Sequence, residues 1–371
     1  MKHELVLLAQ KVDWEKVEKE FSVYYPGLGR PAVPIRKMVG SMLLKQMYNL
    51  GDETFVARWI ENPYWQYFCG ETYFQYDEPY DPSDFVHFRK RIGEDGAQKI
   101  LKLSINLFNS KEVHEKEILI DTTVQEKNIT FPTDSKLHKK IIDGCLKIAE
   151  RENIKLRQRY TRIVKQLWLY LLVLGQRRDD KNKIYSFHAP EVKCISKGKE
   201  HKKYEFGNKS CFALTKKSGI VVGALAFEDN IYDGHAIEPQ LEQVEDLIGR
   251  LPETVLVDRG CKGRKSIMGV NIKIPGSGKG KTAYQKRKER ERFRRRASIE
   301  PIIGHIKQDH RMLRNYLKGA EGDMINTLLT GAAFNIMKML RKIRESVICV
   351  LNELFDKLTR EYMSQLIYCQ I

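Results

Sequence analysis

The chain has 371 residues, 42% of them hydrophobic, enough for a sizeable buried core and more than one folding unit. Its 65 Lys and Arg against 48 Asp and Glu leave a net charge of +17, which points to a polyanionic partner, nucleic acid first. No uncharged apolar run reaches the length of a membrane span, the N-terminus lacks a small-residue cleavage site, and the seven cysteines form neither C-x-x-C pairs nor zinc spacings with histidine. A membrane protein, a secreted disulfide scaffold and a zinc site are therefore not expected.

Residues 1–110 read as helical and rich in aromatics. A short charged helix over 12–21 ends at YYPGLGRP, and RKMVGSMLLKQMYNLG carries apolar side chains at Met38, Val39, Met42, Leu43, Met47 and Leu50, the spacing of an amphipathic helix stopped by Gly51. Asp52 is placed to cap the next helix. Two helices across a short turn fit a helix-turn-helix reader and an ordinary bundle equally well. The Tyr, Trp and Phe cluster of 61–85 reads as core rather than as a base-stacking platform. DPSDFVHFRKRIG reads as a capped helix start with His87, Arg89, Lys90 and Arg91 exposed.

After residue 115 the character changes. EILIDTT is a short β-type run ending at Asp121, and TVLVDRG is another ending at Asp258. Between them lie a basic helical stretch (136–174), two strand-like runs joined by TKKSG as a hairpin, and the helix DGHAIEPQLEQVEDLIGR. VNIKIPG adds a short strand, and GSGKGKT lacks P-loop spacing and reads as a basic loop. INTLLTGAAFNIMKMLRKI then gives a core-facing helical stripe, with a similar helical tail from about 345. These elements describe an α/β unit with a mixed sheet.

The densest charge lies in YQKRKERERFRRRASIEPIIGHIKQDHRMLRNY. Arg296 stands four residues before Glu300 and Lys307 seven after, offsets that share a helix face. Pro301 pushes Glu300 toward a helix start or a kink. His305 and His310, five residues apart, fall on different faces and read as solvated or DNA-facing rather than as metal ligands. Three carboxylates converging in so basic a region would repel one another unless cations neutralise them, and two Mg²⁺ ions suit oxygen ligands and phosphoryl transfer.

These residues resemble a known family. GRPAVPIRKMVGSMLLKQMYNLGDETFVARWIENPYWQYFCGE, ILIDTTVQEKNITFPTDSKLHKKII, LVDRG and RRRASIEPIIGHIKQDHRMLRNYLKGAEGD look like the DDE insertion-sequence transposases of the insertion-sequence-five type. The resemblance implies a ribonuclease-H-like mixed-sheet catalytic domain over 115–345 with a helical insertion at about 136–180. It implies an α-helical N-terminal DNA-binding and assembly domain over 1–110 and a helical tail over 346–371. It places the catalytic, metal-binding triad on Asp121, Asp258 and Glu300, with two Mg²⁺ (Mn²⁺ substituting), and puts Arg294, Arg295, Arg296 and Lys307 on DNA phosphates.

The implied activity is Mg²⁺-dependent cleavage and strand transfer on terminal inverted repeats and target DNA, by a homo-oligomer in a bacterial cytoplasm, at the nucleoid. Two other readings remain: a catalytically inactive DNA-binding relic or repressor, and a nuclease without strand transfer. Three departures stand out: Phe293 where the family has tyrosine, Cys261 where it has an aromatic, and a shortened stretch over 155–185.

Overall fold

The computed structural model describes residues 3–25, 32–152, 160–177, 179–180, 182–196, 203–261, 263–276, 282–294 and 296–368. The chain opens with seven helices: α1 (Glu4–Lys11), α2 (Trp14–Ser22), α3 (Ile35–Met47), α4 (Asp52–Trp59), α5 (Pro63–Phe68), α6 (Ser83–Asn106) and α7 (Ser110–Val113). There follow β1 (Glu117–Glu126), α8 (Asp134–Glu152), α9 (Tyr160–Gly175), β2 (Lys193–Ser196), β3 (Tyr204–Thr215), β4 (Val221–Phe227) and α10 (Ile237–Ile248). The chain continues through β5 (Thr254–Leu256), β6 (Ser266–Ile267), β7 (Val270–Lys273), α11 (Ala283–Arg294), α12 (Ile299–Asp309) and α13 (Gly319–Tyr368).

The sheet runs β2-β3-β1-β5-β7-β6, with β4 also on β3. β3 is long enough for β2 to pair with its first residues and β4 with the rest, both antiparallel. β1 is antiparallel to β3 but parallel to β5, and β5 is parallel to β7. The series β4-β3-β1-β5-β7, antiparallel on one side of β1 and parallel on the other, is a ribonuclease-H-like arrangement. Cys211, Phe212, Ala213 and Leu214 on β3 are all fully buried, as expected of a strand covered on both faces. α10 and α13 both pack on β3 and β4. The expected helical stretch of 136–174 is present as α8 and α9, inserted between β1 and β2, with 153–159 outside the described residues.

The N-terminal helices bury their aromatics. Trp59 and Phe55 are fully buried, but the 61–85 cluster is core only in part: Trp65, Phe68, Tyr80 and Phe85 are buried, while Tyr64, Tyr67, Tyr73, Phe74 and Tyr76 are exposed. Two expectations fail here for one reason. Asp52 does not cap α4, whose cap residue is Gly51. Its carboxylate instead takes Lys45 Nζ at 2.6 Å and a bidentate grip from Arg89, at 3.1 and 2.7 Å. Arg89 is therefore buried rather than exposed. Burying two cations demands a counter-charge, and Asp52 is it. α6 bends at Gly93, whose φ of 55° the missing Cβ makes accessible.

His310 also departs from expectation. It lies 2% exposed, edge-on to Phe334, with Nδ1 unpartnered among the described residues. Burial lowers its pKa to about 4. The folded state thus holds it neutral, while the unfolded chain takes a proton near its ordinary value of 6.5. Stability from this group is complete above pH 6.5 and falls as pH drops toward 4, by about 3 kcal/mol in all. Urea midpoints at pH 7.5 and 4.5 should diverge more for the wild type than for His310→Gln. Equal pH slopes would show that His310 is not the group responsible.

Candidate active site

The strand register assembles the site. β1 and β5 run parallel with Leu119 opposite Leu256. Two residues further along each chain stand Asp121 and Asp258, so neighbouring strands bring the two carboxylates side by side. Asp121 lies in mid-strand rather than at its end. Asp258 follows β5 in a tight turn, its Oδ1 accepting from Gly260 N at 2.6 Å. A Cβ on Gly260 would stand 2.9 Å from that same oxygen, so a larger residue there would displace the Asp258 carboxylate.

Both carboxylates converge on Arg296. Its Nη2 lies 3.6 Å from Asp121 Oδ2 and 3.9 Å from Asp258 Oδ2. Its Nε is buried with no acceptor among the described residues. Burial raises the Asp121 carboxyl to about 6, opposed by Arg296 and by the Thr122 N–H that donates to Asp121 Oδ1 at 3.0 Å. The repulsion of Asp258 and Asp233 adds to the rise. Hard carboxylate oxygens gathered round one cation are the donor set that suits Mg²⁺, so these residues fit the metal that the fold implies.

Asp233 is the residue that sequence reasoning misses. It begins the single 3₁₀ turn Asp233–Ala236 before α10. Its Oδ1 accepts from Thr122 Oγ1 at 2.8 Å and from Lys209 Nζ at 2.9 Å. Gly260 would carry its Cβ 3.6 Å from Asp233 Oδ2, so this carboxylate reaches the Asp258 turn. The available sequence signal was the Asp of YDGH between hairpin and helix. Cys261, whose thiol burial pushes up to about 12, stays protonated and faces Asp258 Oδ1 at 3.7 Å.

Glu300 sits in the first turn of α12, a helix start as Pro301 requires. Ile299, Ile303 and Ile306 bury one face of α12 and leave Glu300 exposed. Among the described residues Glu300 makes no hydrogen bond or ion pair, and no three His, Cys, Asp or Glu side chains have metal-ligating spacing. Arg296 precedes α12 in the 3₁₀ turn Arg296–Ser298. Lys307 is half-buried further along α12. Arg294 is exposed at the end of α11, a helix with no buried residue that Arg292 ties to Glu117 of β1. Arg295 lies outside the described residues.

Residues 1–91 match the model of a transposase domain (DUF772), and residues 179–336 match that of a transposase DDE domain. A Rhizobium meliloti protein, described as uncharacterized protein ORF8 in the nfe locus, is 42% identical over 166 residues, which cover 44% of this chain and 80% of that one. The chain belongs to the DDE transposases. The cryo-EM structure of the piggyBac transposase synaptic complex with hairpin DNA aligns with 93% of this transposase and 76% of that chain, at 8% identity and a TM-score of 0.35. The ribonuclease-H-like assignment rests on the strand order of the sheet and on the DDE match. Among the described residues, no helix of this transposase is long and apolar enough to cross a membrane.

Proposed function

We propose that this chain is an insertion-sequence transposase of the insertion-sequence-five type, which cuts the inverted-repeat ends of its own element and joins the freed 3′-hydroxyls to target DNA. The observation that carries the proposal is the pairing of Asp121 and Asp258 by parallel register around a shared cation. Asp121, Asp258 and Glu300 would hold two Mg²⁺ ions, or Mn²⁺ in their place. Such a pair supplies an activated water or 3′-hydroxyl and neutralises charge at phosphorus.

The chain's own groups do the rest. Arg296 balances the aspartate charge in the free protein. Once the aspartates are neutralised by other cations, its guanidinium can turn to a phosphate oxygen, the contact expected of it. Arg294, on the charged surface of α11, and Lys307 would hold the backbone nearby. Asp233 accepts from the Thr122 hydroxyl and the Lys209 ammonium, which ties the turn before α10 to β1 and β3 next to Asp121. Two ends must be held together for joining, so the active species is a homo-oligomer on mechanistic grounds. A bacterial cytoplasm, at the nucleoid, is where such a protein would meet its substrate.

A second reading, a DNA-binding relic or repressor that does not cut, is favoured by one observation: Glu300 stands exposed and outside any ligand set among the described residues. End-labelled DNA from the borders of the coding sequence, incubated with protein and Mg²⁺ or Mn²⁺, separates the readings. Joined products support transposition. Cut ends without joining indicate a nuclease, and salt-sensitive binding with neither product indicates the relic.

A further inference from the structure

A cavity lies away from the aspartates, between the N-terminal helices and the segment joining α12 to α13. It encloses about 820 Å³, the size of an ordinary ligand site. Six cations line it, Lys45, Arg89, Lys90, Arg311, Arg314 and Lys318, against three carboxylates, Asp52, Glu53 and Glu321. Asp52 is already committed to Lys45 and Arg89. Lys90, Arg314 and Lys318 are exposed and have no carboxylate within ion-pair distance among the described residues. Arg311 stacks on the ring of Tyr316, itself 58% exposed. The surplus positive charge thus faces open space instead of an internal partner.

The wall carrying these cations is fixed to the catalytic sheet. Asn315 N donates to Glu126 O at 2.6 Å, and Lys127 Nζ donates to Leu317 O at 2.7 Å. Glu126 is five residues beyond Asp121 on β1, roughly 17 Å at ~3.3 Å per residue. A DNA strand rises ~3.4 Å per nucleotide, so this span is about five nucleotides.

We propose that the cleft binds the DNA phosphodiester backbone about five nucleotides from the phosphate held at Asp121 and Asp258, through Lys90, Arg311, Arg314 and Lys318. The assignment rests on the DNA-processing reading above and adds a second contact track to it. The track is built jointly by α6 and the α12–α13 connection, so DNA bound there ties the helical region to the catalytic sheet.

The test is the salt dependence of binding to a labelled 30-base-pair duplex by the full chain, followed by fluorescence anisotropy. Each phosphate contact contributes a slope of about 0.9 in log K against log salt, so Arg314→Ala with Lys318→Ala should lower the slope by about 2. Arg314→Lys with Lys318→Arg should retain it, as should Lys16→Ala with Lys19→Ala on α2, which contributes nothing to the cleft. Unchanged urea midpoints confirm that the exposed replacements leave the fold intact. Wild-type binding with an unchanged slope in the Arg314/Lys318 alanine variant overturns the cleft alone. A wild type that shows no salt-dependent binding overturns the cleft and the DNA-processing reading together.

Discussion

Asp121→Asn is expected to reduce Mg²⁺-dependent end cleavage by on the order of 10³-fold while leaving DNA binding within a fewfold of wild type. Asparagine keeps the shape and the Thr122 N–H contact but removes the charge that, with Asp258, converges on Arg296. Metal-assisted phosphoryl transfer is worth several kcal/mol of barrier, and about 1.4 kcal/mol is a factor of ten. Asp258→Asn should match it. Asp233→Asn should cost about tenfold, because it weakens charge-assisted hydrogen bonds to Lys209 and Thr122 without touching the reacting phosphate. Glu300→Gln decides the triad. Full activity in that variant would remove Glu300 from the metal set, and full activity in Asp121→Asn would sink the whole assignment.

The largest effect on stability should come from Asp323→Ala. Asp323 is 1% exposed and its carboxylate binds Lys127 Nζ at 2.8 Å, Asn315 Nδ2 at 2.5 Å, Gln125 Nε2 at 3.3 Å and Asn208 Nδ2. Lys127, 3% exposed, would be left with Glu191 at 3.3 Å as its counter-charge and with the carbonyls of Leu317 and Gly319. Breaking one half of a buried pair costs about 3–5 kcal/mol. The double change Asp323→Leu with Lys127→Met removes both charges and should recover much of the loss. Urea midpoints of the two variants decide it. If the double variant is no more stable than Asp323→Ala, the cost is steric and not electrostatic. The same network anchors the 315–319 wall of the basic cleft, so Asp323→Ala should also weaken DNA binding.

What the sequence discloses about this protein depends on how far apart the interacting residues lie. EILIDTT and TVLVDRG show their aspartates because local apolar runs mark buried strands, and the hairpin and the helix of 237–248 announce themselves in the same way. The parallel register that joins Asp121 to Asp258 is not written in either segment. It follows from the topology of the sheet. Asp233 is hidden for the same reason: a short turn between polar residues carries no periodicity, and its role arises from Lys209, 24 residues away. The pairing of Asp52 with Arg89 is not legible as a cap or an exposed face, because two residues 37 positions apart share no helix pattern. His310 is not legible from its spacing to His305, because the Phe334 ring against it comes from α13, 24 residues further along the chain. The placing of Glu300 in the triad depended on family resemblance, since the local pattern offers only an acid amid basic residues.

α13 sets the order in which the protein can be completed. It packs on α1, α3 and α6 as well as on β4. Its Asn335 hydrogen-bonds Ser104, 231 residues earlier, and its Arg344 grips Glu4 across 340 residues. At ribosomal speeds of about 5–20 residues per second, the wait between α6 and its partner is roughly 10–50 s. During that interval the part of α6 that faces α13 has no permanent cover, and the sheet bearing the two aspartates has none on its α13 side. Synthesis therefore leaves the first hundred residues as a substrate for chaperones or for aggregation, and defers a finished active site until residues beyond 319 have been made.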